Sequence, residues 1–464
     1  MEHQIDEAMK KIVFLFFVII FSNVYAQQGW NLTLLSHFND PNLAKIGTQI
    51  WNANKGWADT IKHREYIVAG SVDSIYFFDI TNPSVMKKCA VKNGINHSIN
   101  RDFDIYDHYV YCVSDNGTPG ALQIFDMQYL PDSVHSVYES DVTGMNCHTV
   151  FVNPLSKRLY KCINRYKTTN IVIPLEVYSI ANPANPVFLG RIERSGYADV
   201  HESYVRNDTV YCSSGWQGLF IYDFTDALHP KVLGSITPPY PESAYNHSCW
   251  LDSSGKYMVF TDETAEGTGI KIYDITDLQN PKAVGNPFRS YGSPHNTYWL
   301  GKFIYASMYY GGVNIYLMDT LTKPKLIASY PTFDKPHTNS VYEGCWGVYP
   351  YLPSGNIIAS DMNTGIFLLK PSSNLAISET QIISGVETFP NPFTNKVSIR
   401  FLSTQKQQAH LLVYNLQGKI VTEKIIETLQ GENEIEINNL EQEGMYIIKI
   451  VTSQQSFHQS VFKL

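Results

Sequence analysis

One phrase of apolar and polar positions recurs along most of the chain. In each copy an aromatic-rich apolar run of roughly five to seven residues follows a Gly or polar turn. In most copies a Pro-containing turn such as Thr81-Asn82-Pro83 comes next. The seven copies of the run are Ser74–Ile80, Ala121–Met127, Leu175–Ile180, Gly218–Phe224, Gly269–Ile275, Gly312–Met318 and Gly365–Lys370. Runs of this length between turn residues predict strands rather than helices.

Each copy has room for a first strand, a second strand ending in small or polar residues, and a fourth strand after the turn. A unit of four strands that repeats every roughly 40–50 residues predicts a β-propeller. The last copy lacks a fourth strand, whereas residues 30–38 resemble a fourth strand and have no first three strands before them. We therefore predict an all-β fold: residues 27–370 form a seven-bladed β-propeller, closed by pairing of residues 30–38 with 365–370.

The N-terminus predicts export. Lys10 and Lys11 precede the apolar run Ile12–Phe21, and small residues lead to Ala26. This order is typical of a signal peptide, which we assign to residues 1–26. No other apolar run approaches spanning length, so we expect no transmembrane segment in the mature protein. The net charge of −8 without a block of Lys or Arg excludes a nucleic-acid-binding protein.

The chain contains seven cysteines, which in an exported protein raises the question of disulfides. Three of them occupy one place in successive copies where other copies carry Ala: Cys112, Cys162 and Cys212. A position that accepts Cys or Ala is a tight core position, so we predict these three as small buried residues. A bridge stays open among the three cysteines beside the predicted loops, Cys147, Cys249 and Cys345.

Four stretches of the repeat region carry a resemblance to known proteins. They are Tyr245–Asp252, Phe260–Glu263, Ile272–Pro281 and Trp346–Asn356. Together they resemble the choice-of-anchor B proteins with LVIVD-type repeats, over most of residues 40–370. The resemblance implies an exported propeller whose C-terminal anchor varies between members, and it implies no established activity.

The C-terminal region has a different pattern. Residues 371–385 form a polar linker, and residues 386–464 contain three blocks that each combine a strand with a Pro, Asn or Gly turn: Phe389–Ile399, Leu412–Val421 and Gly444–Ile450. They predict a small antiparallel β-sandwich. Their order and position resemble the type A sorting domain of the type IX secretion system in Bacteroidetes. The resemblance implies contact with that machinery, passage through the outer membrane, and then release or attachment to the cell surface. An ordinary immunoglobulin-like module is the alternative.

A polar residue opens the first strand of most copies, and Trp346 stands there in the last copy. The polar residues are Asp59, Asp102, His148, His201, His247 and His295. In a propeller the first strands line the central channel, so these positions are expected to form a ring at its mouth. Imidazole and carboxylate together suit a divalent transition metal, and neutral imidazole also serves as a base or binds a polar ligand. Residues that hold water or pair with neighbouring blades are the alternative, and His97 or His337 belong here if the register differs.

A second acidic cluster lies in a Gly-containing turn: Asp262, Glu263 and Glu266. A calcium site and a solvated acidic loop are both open, and the spacing matches no EF-hand loop.

Two functions remain. The first is a cell-surface or secreted propeller that acts as a platform for an unknown extracellular ligand or partner. The second is a metal-assisted hydrolase or lyase at the mouth of the channel. The sequence contains no Gly-x-Ser-x-Gly elbow, His-Glu-x-x-His helix, P-loop or dinucleotide fingerprint that would name a reaction.

Overall fold

The computed structural model of the protein describes residues 30–115, 122–140, 146–166, 171–193, 199–265, 267–289, 291–333, 342–372, 383–403, 406–415, 419–452 and 456–464. The signal peptide predicted at 1–26 lies outside these residues. All helices and strands assigned within them are β-strands, so the all-β prediction is confirmed for this part of the chain. The same residues contain no helix with the length and apolar character needed to cross a membrane.

The strands of the repeat region are β1 Leu32–Phe38, β2 Trp51–Asp59, β3 Arg64–Ser71, β4 Ser74–Asp79, β5 Lys87–Asn93, β6 Arg101–Tyr106, β7 Tyr109–Ser114, β8 Leu122–Asp126, β9 His135–Ser140, β10 Thr149–Asn153, β11 Arg158–Arg165, β12 Val172–Ser179, β13 Val187–Ile192, β14 Glu202–Arg206, β15 Thr209–Ser213, β16 Leu219–Asp223, β17 Lys231–Ile236, β18 Asn246–Leu251, β19 Tyr257–Asp262, β20 Lys271–Asp274, β21 Lys282–Ala283, β22 Thr297–Leu300, β23 Phe303–Ser307, β24 Val313–Leu317, β25 Lys325–Tyr330, β26 Cys345–Tyr349, β27 Ile357–Asp361 and β28 Gly365–Pro371. The C-terminal strands are β29 Ile383–Phe389, β30 Lys396–Ser403, β31 Gln407–Asn415, β32 Ile420–Thr428, β33 Gly431–Asn438, β34 Gly444–Val451 and β35 Ser456–Lys463.

Among the described residues, β1 to β28 form four-stranded antiparallel sheets of consecutive strands, with one exception to the chain order. In that exception β1 joins β26, β27 and β28, pairing antiparallel with β28 from Leu32 opposite Pro371 to Phe38 opposite Ile366. The predicted pairing of the N-terminal strand with the last apolar run is therefore confirmed. It covers an edge of β28 that would otherwise be exposed.

The sheets follow one another in a circle. The first strand of each of the first six sheets contacts that of the next, in the order β2, β6, β10, β14, β18 and β22. After them β23 contacts β26, and β26 and β27 contact β2 again. First strands that follow one another around an axis are the arrangement of a β-propeller, with which this region is consistent.

Burial differs systematically across each sheet. The third strands are buried on both faces, as in β4, where every residue after Ser74 is buried, which explains apolar runs such as Ile75–Phe78. The fourth strands, such as β5 and β9, are mostly exposed. Cys112, Cys162 and Cys212 lie in the second strands and are buried, as predicted. All seven cysteines are described and none forms a disulfide.

The C-terminal region forms a three-stranded sheet in the order β29-β30-β33 and a four-stranded sheet in the order β32-β31-β34-β35. Burial alternates along β30, where Val397, Ile399 and Phe401 point inward. These side chains share one hydrophobic core with residues of β31 and β34, including Leu411 and Ile448. The region therefore has a core of its own.

Each sheet has two ends, and they differ in what they carry. Because neighbouring strands are antiparallel, the start of each first strand lies beside the turn between the second and third strands. We call this end of the sheets the mouth. The turns between first and second strands lie at the other end, which we call the base.

Candidate histidine site

Four of the predicted histidines stand at the mouth, at the starts of successive first strands. His148 and His201 immediately precede β10 and β14, His247 is the second residue of β18, and His295 precedes β22 by two residues. The backbone is irregular there. The His295 N–H donates to the carbonyl of Ser307 at 2.9 Å, and the Ser307 N–H donates to the carbonyl of Asn296 at 3.0 Å, so two residues oppose one. Such bulges re-aim side chains, and they recur near functional sites.

The four imidazoles form a continuous row, which we call the histidine row. Successive ring centroids from His148 through His201 and His247 to His295 are 4.2, 4.4 and 4.3 Å apart, and Trp346 follows at 4.4 Å. His201, His247 and His295 are at most 9% exposed. The structure thus brings together all four histidines and Trp346.

Outer partners hold the Nδ1 atoms of three of these rings. Asp115 Oδ2 lies 2.6 Å from His148 Nδ1, and the Tyr245 hydroxyl lies 3.1 Å from His201 Nδ1. The carbonyl of Trp346 lies 2.6 Å from His295 Nδ1. A carbonyl only accepts, so Nδ1 of His295 carries the proton and Nε2 keeps a lone pair. Second partners of this kind fix the tautomer and orientation of metal-binding histidines.

His247 differs, because its buried Nδ1 has no hydrogen-bond partner among the described residues. The nearest carboxylate oxygen on that side is Glu202 Oε2, at 4.0 Å. On its other side Nε2 lies 3.7 Å from Glu263 Oε2. An unpartnered buried nitrogen is costly, which makes this ring the least satisfied member of the row.

Glu263 adds the carboxylate. It follows β19, and its Oε1 accepts a hydrogen bond from the Tyr309 hydroxyl and lies 3.9 Å from His295 Nε2. One ligand atom from each of His201, His247 and Glu263 can be chosen so that all three lie within 4.8 Å of one another. Two imidazole nitrogens and a carboxylate oxygen at this separation could surround one cation.

Burial sets the protonation of the row. It lowers the pKa of His247 and of His295 to about 3, with a further contribution from neighbouring imidazoles. The pKa of His201 falls well below its ordinary value for the same reasons. These rings are neutral at neutral pH, which is the form that binds metal. His148 behaves differently: burial opposes its protonation, but the hydrogen bond and charge of Asp115 outweigh burial and raise its pKa.

Buried carboxyl groups lie near the row. Asp102 Oδ2 accepts a hydrogen bond from the Val150 N–H at 2.9 Å, and Glu202 Oε2 accepts one from Asn296 at 2.8 Å. Burial raises the pKa of Asp102 to about 6 and that of Glu202, which also senses the charge of Asp102, to about 8. Asp102 therefore belongs to the surroundings of the row, as its negative charge also acts on His148.

The structure does not bring Asp59 to the mouth. Asp59 is the last residue of β2 and lies at the base, where Oδ1 accepts hydrogen bonds from the Ile61 and Lys62 N–H groups at 3.0 and 2.9 Å. It shapes the turn into β3 rather than the site. His97 is exposed and contacts Asp73 at 2.5 Å. His337 and Glu266 lie outside the described residues.

Asp262 and Glu263 do not form one cation site, contrary to the calcium interpretation. Successive strand residues point to opposite sides, and Asp262 points away from the row. Its buried carboxylate accepts hydrogen bonds from the Tyr240 hydroxyl at 3.0 Å and the Ala244 N–H at 2.8 Å. It also pairs with the buried Lys271 ammonium at 3.3 Å. Protein donors thus already surround Asp262.

Substitution of Asp262 and substitution of Glu263 are expected to lower the free energy of unfolding by different amounts. Asp262→Asn leaves Lys271 without its buried partner and should lower the free energy of unfolding by about 3–5 kcal/mol. Glu263→Gln keeps the shape of a side chain that mainly faces the row, so its loss should stay below about 1.5 kcal/mol. Chemical unfolding monitored by intrinsic fluorescence measures both. Equal losses in the two variants would contradict the placement of the two carboxylates.

Sequence reasoning missed the outer partners of the row, Asp115, Glu202, Tyr245 and Tyr309. Asp115 and Tyr309 follow second strands and Tyr245 precedes β18, in segments that differ between copies, so no repeated position marks them. Glu202 is the first residue of β14, directly after His201. Glu263 was identified as acidic but assigned to the wrong neighbours.

Comparison with known proteins gives different results for the C-terminal region and for the repeat region. Residues 387–463 match the family described as Secretion system C-terminal sorting domain. These residues are a type IX sorting domain. The predicted sorting domain is thereby confirmed, and it indicates secretion through the type IX system, with an outer-membrane or extracellular location.

The sorting domain accounts for the C-terminal core described above, and the match does not extend to the repeat region. Among curated proteins none matches the chain. Among solved structures, the chain is similar to the structure of U3-55K, with 11% sequence identity and a TM-score of 0.49, over 73% of this chain and 98% of that chain. A likeness at that level supports no conclusion about what this chain binds.

Proposed function

We propose that this protein is a secreted seven-bladed β-propeller of the choice-of-anchor B type that binds a divalent transition metal at the histidine row. The observation that carries the proposal is the convergence of His201, His247 and Glu263, with donor atoms within 4.8 Å of one another. A signal peptide at 1–26, a propeller at 27–370 and a linker at 371–385 complete the proposed organisation, with residues 386–464 as a sandwich that carries the sorting signal.

The chemistry of the donors favours a transition metal. Imidazole nitrogen suits Zn, Cu, Fe and Ni, whereas calcium prefers oxygen donors alone. A purely structural row would be expected to satisfy its buried nitrogens within the protein, yet Nδ1 of His247 has no partner among the described residues. His295 supports the same conclusion, because the carbonyl of Trp346 accepts from its Nδ1 and leaves Nε2 with a lone pair. The Nε2 atoms of His148 and His201 lie 3.0 Å apart and contact each other.

The position of the row supports a binding role for the bound ion. It lies at the mouth, beneath turns that the four-stranded sheets hold in place. Rigid sheets that carry variable turns are a common platform for ligands. We therefore propose that the metal forms the floor of a binding site for an extracellular ligand.

Metal content should depend on the row. Purified protein is expected to carry about one transition-metal ion per chain, and His247→Ala and Glu263→Gln should each reduce its occupancy at least roughly tenfold, because a site of this kind needs its full ligand count. Inductively coupled plasma mass spectrometry measures the content. His229→Ala is the matched control, because His229 is exposed on an outer turn, where its Nδ1 lies 2.9 Å from Asp226 Oδ2.

A second readout guards against misfolding of the variants. Zinc at about 100 times its Kd should stabilise the wild type by about 2.7 kcal/mol, and the variants of the row much less. A wild-type protein that neither carries nor responds to Zn, Mn, Fe, Co, Ni or Cu would contradict the proposal. So would metal retained in full by His247→Ala.

A metal-assisted hydrolase or lyase is the second candidate. It is favoured by Glu263, whose carboxylate lies 3.7 and 3.9 Å from two imidazole nitrogens and could accept a proton from a metal-bound water. Turnover of an extracellular polymer by the metal-loaded protein, lost in Glu263→Gln, would favour this candidate over binding alone.

A further inference from the structure

Trp216 is an exposed tryptophan on a firmly held turn at the mouth. Its side chain is 70% exposed. The turn connects β15 to β16, and the Ser214 N–H donates to the Gly218 carbonyl at 2.8 Å. Gly215 and Asn246 exchange two backbone hydrogen bonds of 3.0 and 2.9 Å, which fasten the turn to the next sheet. The indole is therefore exposed on a rigid support.

The turn type does not explain this exposure, because a related turn buries its aromatic residue. Between β23 and β24, the Met308 N–H donates to the Gly312 carbonyl at 2.8 Å, as Ser214 does to Gly218. Tyr310 occupies the position equivalent to Trp216 and is only 6% exposed. The same backbone can thus hide a large ring, and in the turn of Trp216 it presents one.

Trp216 is connected to the histidine row through Tyr245. The indole meets the Tyr245 ring at 5.7 Å and 77°, and the Tyr245 hydroxyl lies 3.1 Å from His201 Nδ1. Gly215 has a φ of +55°, and a Cβ there would lie 2.6 Å from the Tyr245 ring. Glycine at this position therefore lets the phenol pack directly on the turn. Trp216, Tyr245 and His201 form a continuous wall from solvent to the row.

The charge of this wall restricts its ligand. The Glu263 carboxylate lies beside the row toward which this wall leads, and its Oε2 is 3.7 Å from His247 Nε2. Carboxylates in such a position disfavour an anionic ligand such as a phosphate or sulfate ester. They and the phenol hydroxyls can instead hydrogen-bond to uncharged hydroxyl groups.

We propose that Trp216 and Tyr245 form a stacking wall for a neutral saccharide whose hydroxyl groups reach toward Glu263 and the histidine row. A sugar ring has an apolar C–H face that covers exposed indole and hydroxyl groups at its edge that match phenols and carboxylates. Only the orientation of the saccharide toward Glu263 and the histidine row rests on the proposed function. Stacking on Trp216 requires no metal.

Isothermal titration calorimetry of the full-length protein tests the wall. The probes are β-1,4-linked tetrasaccharides of glucose, xylose, mannose and N-acetylglucosamine. At least one should bind, and Trp216→Ala should weaken its binding about tenfold or more, because truncation removes the stacking surface. Trp216→Phe keeps an aromatic face and should weaken binding less. Trp30→Ala is the matched control, since Trp30 is also exposed but lies beside the outer strand β25.

Metal content measured on the same samples separates the two proposals. Saccharide binding that depends on Trp216 without bound metal would support the wall and contradict the metal site. Bound metal without binding of any probe, or with equal binding by wild type and Trp216→Ala, would overturn the wall alone. Tetramethylammonium that binds through Trp216 while every saccharide fails would also overturn it, in favour of a cation held by the aromatic faces.

Discussion

A chain that ends at residue 385 is expected to fold and to accumulate in the periplasm rather than at the cell surface or in the medium. The sorting domain carries the signal for the type IX system. Its hydrophobic core, which includes Val397, Leu411 and Ile448, is separate from the cores of the repeat region. The truncation also removes the ion pair between Lys157 and Glu423 at 2.6 Å, which is partly exposed and contributes about 1 kcal/mol or less.

Immunoblots of medium, surface and periplasmic fractions measure this outcome, and circular dichroism of the truncated protein checks its fold. Phe401→Asp in the full chain should block secretion in the same way, because it places a charge in the core of the sorting domain. Lys424→Ala, at an exposed position of β32, should not. Normal surface delivery of the truncated chain would show that the sorting domain is dispensable.

Deletion of residues 30–38 is expected to unfold the repeat region or leave it open to proteolysis. Without β1, the edge of β28 is exposed along its whole length, and Leu32 leaves a core shared by two sheets. Phe38 is also lost from its contacts with Phe78 and Trp51, at 4.8 and 5.8 Å between ring centroids. Each large apolar side chain that is removed costs about 1.5–3 kcal/mol, so together they are a large fraction of a typical total stability of about 5–15 kcal/mol.

Thermal unfolding and limited trypsin digestion measure the effect of this deletion. A synthetic peptide of residues 27–40 added to the deleted protein should restore part of the stability, since it can pair with β28. Point variants give a matched comparison: Phe38→Ala should cost about 2 kcal/mol or more, and Leu34→Ala, at an exposed position, less than about 1 kcal/mol. A deleted chain as stable as the wild type would contradict closure by β1.

The apolar pattern predicted much of the fold because each repeated sheet buries its third strand on both faces. A run such as Ile75–Phe78 in β4 is then apolar throughout and stands out from the polar turns around it. The leftover strand at the N-terminus and the missing one after Lys370 were complementary, so their pairing could be predicted without any three-dimensional information. The contacts between neighbouring sheets could not be predicted in this way, because they depend on side chains that differ from copy to copy.

The candidate site was only partly predictable, for two physical reasons. The first reason is that a polar residue does not mark which end of a first strand it occupies. Asp59 was assigned to the start of β2, which runs from Trp51 to Asp59 and ends there. The second reason is that the carboxylate beside the row follows β19, the second strand of the same sheet that carries His247. Alignment of first strands alone therefore does not place Glu263 beside His247, although the two side chains are 3.7 Å apart.

Pairing of β1 with β28 also determines the order in which the molecule can be completed. His37 and Thr364 are hydrogen-bonded at 2.7 Å although they are 327 residues apart in the chain. Contacts of such high sequence separation form late in folding, because the long intervening loop must first be ordered. A nascent chain presents β1 long before its partner strand has been synthesised. The last sheet can thus be sealed only once the whole repeat region has emerged, so that prematurely terminated chains stay unsealed and open to degradation.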